Sequence, residues 1–143
     1  MKAEILRDYQ IDISDVLRRS PVKDQPQAND ILRVYIINSV EFWVGKIDGE
    51  IACIFGLIPP TILSDSAYMW LLTTDLVEEH TFMFVRHSQQ WMEGALNRYK
   101  SIHGHVAIDN FKAKRWLRWL GARILDSEGG SQAFEIRKRQ WTL

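Results

Sequence analysis

The hydrophobic pattern of the first forty residues predicts a short strand followed by two helices. Residues 3–8 are typical of a strand, and a helix is predicted to begin near Asp12, because a carboxylate is a favoured N-cap. Residues 21–30 contain two of the four prolines and are predicted to form a loop. A second helix is predicted from 28 to 39. Its apolar residues recur on one helical face: Ile31, Leu32, Tyr35 and Ile36.

A β-hairpin gives the clearest local pattern in the chain. The segments 41–47 and 50–58 are rich in β-branched and aromatic residues. They are joined by Asp48-Gly49, a pair that favours a two-residue turn with positive φ angles. The two prolines that follow are expected to end the second strand, because proline cannot donate to the hydrogen-bond ladder.

The next segment changes from a strand pattern to a helical one. A mostly buried strand is predicted over 67–74. Apolar residues then recur every three or four positions, which predicts one long helix over 76–99. Asp75 or Thr81 is expected to cap its start.

The last third of the chain predicts a strand, a helix and two further strands. Gly104 is expected to interrupt the chain before a short buried strand over 105–108. Asn110 is expected to open a helix that Gly121 ends as a C-cap. The two final strands are predicted over 122–125 and 132–138.

The predicted order of elements, β-α-α-β-β-β-α-β-α-β-β, indicates an α/β protein. A meander followed by βαβ segments fits one mixed β-sheet with helices on both faces. The length of 143 residues is that of one domain, so residues 1–143 are predicted to form a single domain. The six Trp, four Tyr and six Phe supply ample apolar surface for its core, which excludes a disordered chain.

Composition excludes several other classes of protein. Cys53 is the only cysteine, so a disulfide-rich scaffold is excluded, and its position within a strand predicts a buried, unreactive thiol. No apolar run is long enough to span a bilayer, and the N-terminus has no signal-peptide core. The chain is therefore expected to be soluble and not secreted.

The charges balance overall but not along the chain. Residues 1–100 carry 10 Lys/Arg and 14 Asp/Glu, whereas residues 101–143 carry 8 and 4. The helix that opens at Asn110 is predicted to present a basic outer face, formed by Lys112, Lys114, Arg115 and Arg118. Trp116 lies on the apolar stripe of the same helix, where a core role accounts for it. Nucleic-acid binding is therefore not favoured.

The standard catalytic signatures are absent from the sequence. It contains no G-x-G-x-x-G, no P-loop and no H-E-x-x-H, which removes support for dinucleotide, nucleotide-triphosphate and zinc-protease sites. The pair His103-x-His105 places two imidazoles on one face of a strand. Without a nearby third ligand we predict no metal site there.

Two sets of residues resemble known families. Asn110, Ala113 and Gly121 match the closing N-x-x-A-x₇-G motif of the GNAT superfamily of acetyl-CoA-dependent N-acyltransferases. The segments WLLTTD (70–75) and RWLRWLGAR (115–123) are similar to the GNAT-like proteins of tailed phages, grouped with the internal virion protein A of podophages. The resemblance covers about residues 40 to 137 and implies a GNAT-like fold.

Two features expected of such enzymes are missing. In the family, a glycine-containing loop presents backbone N–H groups to the cofactor pyrophosphate at a helix N-terminus. The corresponding stretch here, 73–80, has no glycine and three carboxylates. Many of these enzymes also carry a tyrosine, as general acid, seven residues after the motif asparagine. That position is Leu117, which has no proton to give.

The resemblance and these losses leave two hypotheses. The first is a virion-associated or assembly protein, located in the virion or host cytoplasm. It would act on other virion or phage proteins, or on copies of itself, with a degenerate acetyl-CoA site and no cofactor. The alternative is an N-acyltransferase that uses acetyl-CoA to modify a host or phage protein.

On the first hypothesis six residues line or flank a cleft between two parallel strands, although each also has an ordinary core or capping role: Trp70, Thr73, Thr74, Asp75, Asp109 and Asn110. On the alternative, backbone groups of Leu71 to Thr73 hold the pantetheine arm, and Asn110 contacts cofactor or substrate. The basic helix adds a third, weaker hypothesis, a nucleic-acid-associated packaging or ejection factor that uses Lys112, Lys114, Arg115 and Arg118.

Overall fold

The computed structural model describes residues 3–7, 12–20, 24–25, 27–61 and 63–138. The elements in chain order are β1 Ala3–Leu6, α1 Ile13–Arg18, α2 Ala28–Asn38, β2 Glu41–Ile47, β3 Glu50–Ile58, β4 Ser66–Thr73, α3 Asp75–Glu79, α4 Thr81–Arg98, β5 Ser101–Ala107, α5 Phe111–Trp119, β6 Arg123–Glu128 and β7 Ser131–Arg137. A helix of sufficient length and apolarity to cross a membrane is not found among these residues.

The strands form one seven-stranded mixed sheet, in the order β1-β2-β3-β4-β5-β7-β6. The pairings of β1 with β2, β2 with β3, β5 with β7 and β6 with β7 are antiparallel. β4 and β5 are parallel, and their register joins Ser66–Tyr68 to Ser101–His103. The predicted α/β class with a mixed sheet is confirmed.

The chain divides into two compact units. Unit 1 comprises residues 1–58 and 70–84, and unit 2 comprises residues 59–69 and 85–143. The largest fully buried side chains of unit 1 are Phe42, Ile54, Leu57, Val16 and Val44, and those of unit 2 are Ile102, Leu117 and Ile136.

The predicted hairpin of unit 1 is confirmed with the predicted strand boundaries. Asp48 and Gly49 have φ angles of 50° and 82°, and this turn sets Ile47 opposite Glu50. Glycine suits such a position because it has no Cβ to clash at positive φ. β3 ends at Ile58, directly before the two prolines.

The two N-terminal helices also form as predicted, with one difference. The Asp12 side chain accepts hydrogen bonds from the N–H groups of Ser14 and Asp15, as expected of an N-cap. On α2, however, Leu32 is buried whereas Ile31 is about half exposed. The prediction that Ile31 shares the inward face was therefore wrong.

The predicted long helix is divided in two at His80. α3 is capped by Thr74, whose hydroxyl accepts from the N–H of Leu76, so the predicted caps Asp75 and Thr81 were wrong. The Thr74 hydroxyl also donates to the carbonyl of Ile51 at 2.9 Å, which ties the start of α3 to β3. At its other end α3 stops because its C-cap His80 has φ −129° and ψ 45°, which are not helical values.

Gly104 lies inside β5 and does not interrupt the chain there, contrary to the prediction. A Cβ at this position would lie 2.4 Å from the Phe134 ring of β7 and 3.0 Å from the carbonyl oxygen of Met69. Glycine is required here because neighbouring strands bring these atoms against the backbone.

The capping residues of α5 were predicted correctly. The Asn110 side chain accepts from the N–H of Ala113 at 3.1 Å. At the other end, Gly121 has a φ of 93°, and the N–H of Ala122 reaches back to the carbonyl of Leu117. These are the bonds of a Schellman motif, which fixes where the helix ends.

Candidate functional site

Trp70, a residue of the predicted site, is held within the core of unit 1. It is 6% exposed, and its ring stacks on those of Tyr35 and Phe42 with centroids 5.9 and 6.0 Å away. Its indole N–H donates to the Ser39 hydroxyl at 2.7 Å, which in turn donates to the Tyr35 carbonyl. These contacts give Trp70 a packing role.

The residues that follow Trp70 bring the chain to the start of α3. Leu71 and Thr73 are half-buried at the end of β4, and Thr74 is buried. The N–H of Thr74 donates to the carbonyl of Ala52 at 2.8 Å. The side chain of Thr74 is thus a structural cap, and the backbone of Leu71–Thr73 is the part of this segment suited to a ligand.

The N–H groups in the first turn of α3 are already used within unit 1. The N–H of Asp75 donates to the carbonyl of Arg19 at 3.2 Å, and that of Val77 donates to the carbonyl of Thr74 at 3.2 Å. The N–H of Leu76 donates to the Thr74 hydroxyl. This turn therefore offers an anion no free backbone donor.

The three carboxylates of the 73–80 stretch differ in their surroundings. Asp75 is exposed but paired with Arg19, whose guanidinium approaches it to 2.9 Å. Glu78 and Glu79 are exposed on the short helix α3. Among the residues that the structure describes, no cation pairs with Glu78 or Glu79. These two carboxylates therefore remain uncompensated negative charges.

The start of α4 is better suited to an anion than the start of α3. The N–H of Phe84 donates to the carbonyl of His80 at 3.0 Å. The three amides before it, in residues 81–83, have no acceptor inside α4, because the first amides of a helix never do. Thr81 and Phe82 are exposed, the latter to 78%, so this end of an 18-residue helix is accessible.

In unit 2, the predicted residues Asp109 and Asn110 lie at the end of β5 and are both exposed. The Asn110 side chain is engaged as the N-cap of α5. Leu117, at the position where a general acid was expected, is 2% exposed and belongs to the core of unit 2. Leu117 therefore cannot act as a general acid.

The basic helix α5 differs from the prediction at Lys114. Lys112, Arg115 and Arg118 are exposed, whereas Lys114 is buried. Its ammonium donates to the carbonyl of Ile108 at 2.6 Å and to the side-chain oxygen of Gln132 at 3.1 Å. The prediction of an outward Lys114 was wrong, because these two oxygens compensate the buried charge.

Trp116 points inward on α5, as predicted. Its indole N–H donates to the Ser88 hydroxyl of α4 at 2.9 Å. A buried indole needs such a partner for its polar atom.

A cluster of polar side chains on β4, β5 and β7 was not predicted as a group. The Tyr68 hydroxyl and His105 Nδ1 are hydrogen-bonded at 3.2 Å, and the two ring centroids are 5.7 Å apart. His103 lies two residues earlier on the same face of β5, with its Nε2 3.0 Å from the Ser101 hydroxyl. The alternation of Ser101, His103 and His105 was visible in the sequence, but Tyr68 joins them only through the parallel pairing of β4 and β5.

Glu135 completes this cluster from β7. It stands opposite His103 in the antiparallel register, with Oε2 3.7 Å from His103 Nδ1. The hydrogen bond from Arg137 holds the pKa of Glu135 below its usual value, and the charges of Arg137, His103 and Arg123 act in the same direction. Glu135 is therefore an anion at neutral pH.

Within the part of the chain that the structure describes, no three His, Cys, Asp or Glu side chains are arranged to hold a metal ion. The expected burial of Cys53 is confirmed, and this burial raises the pKa of its thiol to about 12.

Comparisons with solved structures place this architecture among known proteins. The chain is similar to an acetyltransferase of Bacillus subtilis in complex with CoA, with a TM-score of 0.73 and 13% identity over 96% of this chain and 100% of that chain. It is also similar to a GNAT family acetyltransferase of Elizabethkingia anophelis with acetyl-CoA bound (TM-score 0.71, 12% identity, 96% and 97% of the two chains). The chain has the GNAT fold.

A further neighbour is the ribosomal-protein-S18-alanine N-acetyltransferase of Escherichia coli. Its TM-score is 0.67 and its identity 12%, over 94% of this chain and 91% of that chain. No family model and no curated protein matches the chain at the level of sequence. The chain therefore shares the GNAT fold with these neighbours at a sequence identity of only 12–13%.

Proposed function

We propose that the protein is an N-acyltransferase that uses acetyl-CoA as its acyl donor. The observation that carries this proposal is the similarity of nearly the whole chain to acetyltransferases whose structures contain CoA or acetyl-CoA. Bound acetyl-CoA supplies an activated acetyl thioester. The acceptor would be an amine of a protein or small molecule, as the sequence resemblance implies.

The described residues of unit 1 fit such a cofactor in part. The backbone of Leu71–Thr73 would bind the pantetheine arm, because β4 continues beyond Tyr68, where its register with β5 ends. The amides of residues 81–83 would bind the pyrophosphate, since a helix N-terminus favours an anion. Glu78 and Glu79 oppose this binding, so we expect the affinity to be modest.

Tyr68 and His105 are the proposed groups for proton transfer, since Leu117 cannot serve. With His105 Nδ1–H donating to the Tyr68 oxygen, the Nε2 lone pair is left to take a proton from an amine. The imidazole is exposed and held in orientation by Tyr68. His103 is engaged instead by Ser101 and Glu135 and is assigned no such role.

Thermal unfolding with and without about 1 mM acetyl-CoA tests the proposal directly. A ligand at 100 times its Kd stabilises the folded chain by about 2.7 kcal/mol, which corresponds to several degrees in Tm for this size. We expect an upward shift, confirmed by calorimetric titration. A chain that unfolds cooperatively at an unchanged Tm would contradict the proposal.

The variant Glu78→Gln/Glu79→Gln tests where the pyrophosphate binds. Removing both charges is expected to tighten acetyl-CoA binding about 3- to 30-fold, because each exposed charge near a helix N-terminus contributes about 0.3–1 kcal/mol. Glu93→Gln, an exposed position later on α4, is the matched control and should leave the Kd unchanged. Equal affinities for both variants would place the pyrophosphate elsewhere.

The virion role is a second candidate, supported by the resemblance of WLLTTD and RWLRWLGAR to phage proteins. On this hypothesis the GNAT fold serves as a protein-binding domain, and the used donors of α3 reflect a lost cofactor site. We expect mass spectrometry of purified phage particles to find the protein in stoichiometric amounts. Its absence from the particles would leave only a role in the infected cell.

A further inference from the structure

One face of α5 presents cations and aromatic rings together. Phe111, Lys112, Arg115, Arg118 and Trp119 fall within a sector of about 120°, because successive helical residues are rotated by about 100°. Phe111 is 71% exposed and Trp119 is 48% exposed. We call these five residues the α5 face.

Exposed aromatic rings in this setting require an explanation. The core of unit 2 takes Trp116 and Leu117 from the opposite side of the helix. Phe111 contributes little to that core, although the Lys114 ammonium lies 4.8 Å from its ring centroid, and about half of the Trp119 surface is left in water. The exposed part of each ring forgoes its burial. They are separated by eight residues, or about 12 Å along the axis, which is more than three times the 3.4 Å repeat of a nucleic-acid strand. They could therefore contact two different bases of one strand.

The cations of the α5 face are uncompensated. Lys112, Arg115 and Arg118 form no ion pair with any carboxylate among the described residues, and α5 itself contains no acidic residue. Lys114 is excluded from this group, because its ammonium is held by Ile108 and Gln132. The side chains of Lys112, Arg115 and Arg118 are thus available to bind a polyanion.

We propose that the α5 face binds single-stranded nucleic acid. The cations would neutralise phosphates, and the two rings would stack on bases, which every sequence offers. Every nucleotide carries both a phosphate and a flat base, whereas an acidic protein segment supplies carboxylates without an aromatic ring beside each of them, so the combination of cations and rings favours nucleic acid. This function is independent of acyl transfer and uses none of the residues assigned to it.

Fluorescence anisotropy of a labelled oligothymidylate, titrated with the full chain, tests the proposal. We expect binding at low salt that weakens about 15-fold between about 50 and 200 mM, since three phosphate contacts on a single strand give a slope of about −2 in log K against log salt. The absence of binding at the lowest salt would overturn the proposal.

Two sets of variants separate charge from stacking. Arg115→Gln/Arg118→Gln should reduce the magnitude of the salt slope by about 1.4. Phe111→Ala and Trp119→Ala should each weaken binding about 5- to 150-fold with an unchanged slope, the range that loss of one stacked base gives. Arg86→Gln and Leu63→Ala remove an exposed cation and an exposed apolar side chain elsewhere, and they should leave the Kd unchanged.

The remaining outcomes also decide the proposal. If Arg86→Gln weakens binding as much as Arg115→Gln/Arg118→Gln does, the binding is diffuse and the α5 face is not its site. If polyglutamate of equal charge competes as well as the oligonucleotide, and the alanine variants match the wild type, the face accepts an acidic protein segment instead. Either result would overturn the proposal.

Discussion

Replacing Trp70 by alanine is expected to lower the free energy of unfolding by about 3–5 kcal/mol, the usual loss for a buried tryptophan. The ring is stacked between Tyr35 and Phe42 and donates to Ser39, so the substitution removes apolar contacts and a hydrogen bond together. The backbone of Gly56 also packs directly on this ring, since a Cβ there would lie 2.5 Å from the indole nitrogen. Urea unfolding monitored by circular dichroism measures the effect.

Trp70→Phe is the control for this experiment. It keeps a ring in the stack and removes the indole N–H, so we expect a smaller loss, with about 1 kcal/mol of it from the hydrogen bond. The pair of variants also distinguishes a core residue from one that lines a ligand site. If Trp70→Ala leaves stability almost unchanged and abolishes acetyl-CoA binding, then Trp70 belongs to the site and not to the core.

Replacing His105 by alanine is expected to lower kcat about 10²- to 10⁴-fold, the contribution typical of a general acid or base. The reason is that Nε2 of His105, oriented by the Tyr68 hydroxyl, is the proposed proton acceptor. The measurement is the release of CoA thiol from acetyl-CoA with a pool of lysine-containing peptides as acceptors. The loss should appear in kcat with the Kd for acetyl-CoA unchanged, a combination that a general disruption of the site would not produce.

His103→Ala is the matched control, because it removes an imidazole two residues away on the same face of β5. We expect it to retain most of the activity. Tyr68→Phe should fall between the two variants, since it loses the orienting hydroxyl and keeps the base. Equal losses in the two histidine variants would show that neither imidazole transfers the proton. Cofactor binding is measured separately, so this result would leave the acetyl-CoA site untouched.

The parts of the fold that follow from neighbouring residues were predicted well. The boundaries of β2 and β3 were correct because Asp48-Gly49 imposes the turn and the two prolines end the second strand. The caps at Asn110 and Gly121 are equally local. Such features need no knowledge of the rest of the chain, so periodicity and turn chemistry suffice.

The errors arose where distant residues decide the structure. Thr74 caps α3 and also bonds to the Ile51 carbonyl, which belongs to another strand. Gly104 is needed because of Phe134, thirty positions later in the chain. Lys114 turns inward toward Gln132 for a similar reason. These contacts depend on which strands become neighbours in the sheet. The local pattern of hydrophobic and polar residues does not indicate which strands will pair.

In the candidate site, too, local features were predicted and features that depend on distant residues were not. The sequence identified the 73–80 stretch and its missing glycine, but it did not reveal that the amides of Asp75 and Val77 are already used. Nor did it connect Tyr68 with His105, because a parallel pairing of β4 and β5 brings them together. Roles that depend on a hydrogen-bond partner from another strand had to come from the structure.

The buried thiol of Cys53 can be used to measure how often the folded chain opens. Its Sγ lies where a Cβ on Gly45 would come within 2.7 Å, and its pKa of about 12 leaves almost no thiolate while unit 1 is closed. Only molecules that open expose a thiol of ordinary reactivity. Since this is the only cysteine, the rate at which an alkylating reagent modifies the native protein measures the frequency of opening, and no engineered label is needed.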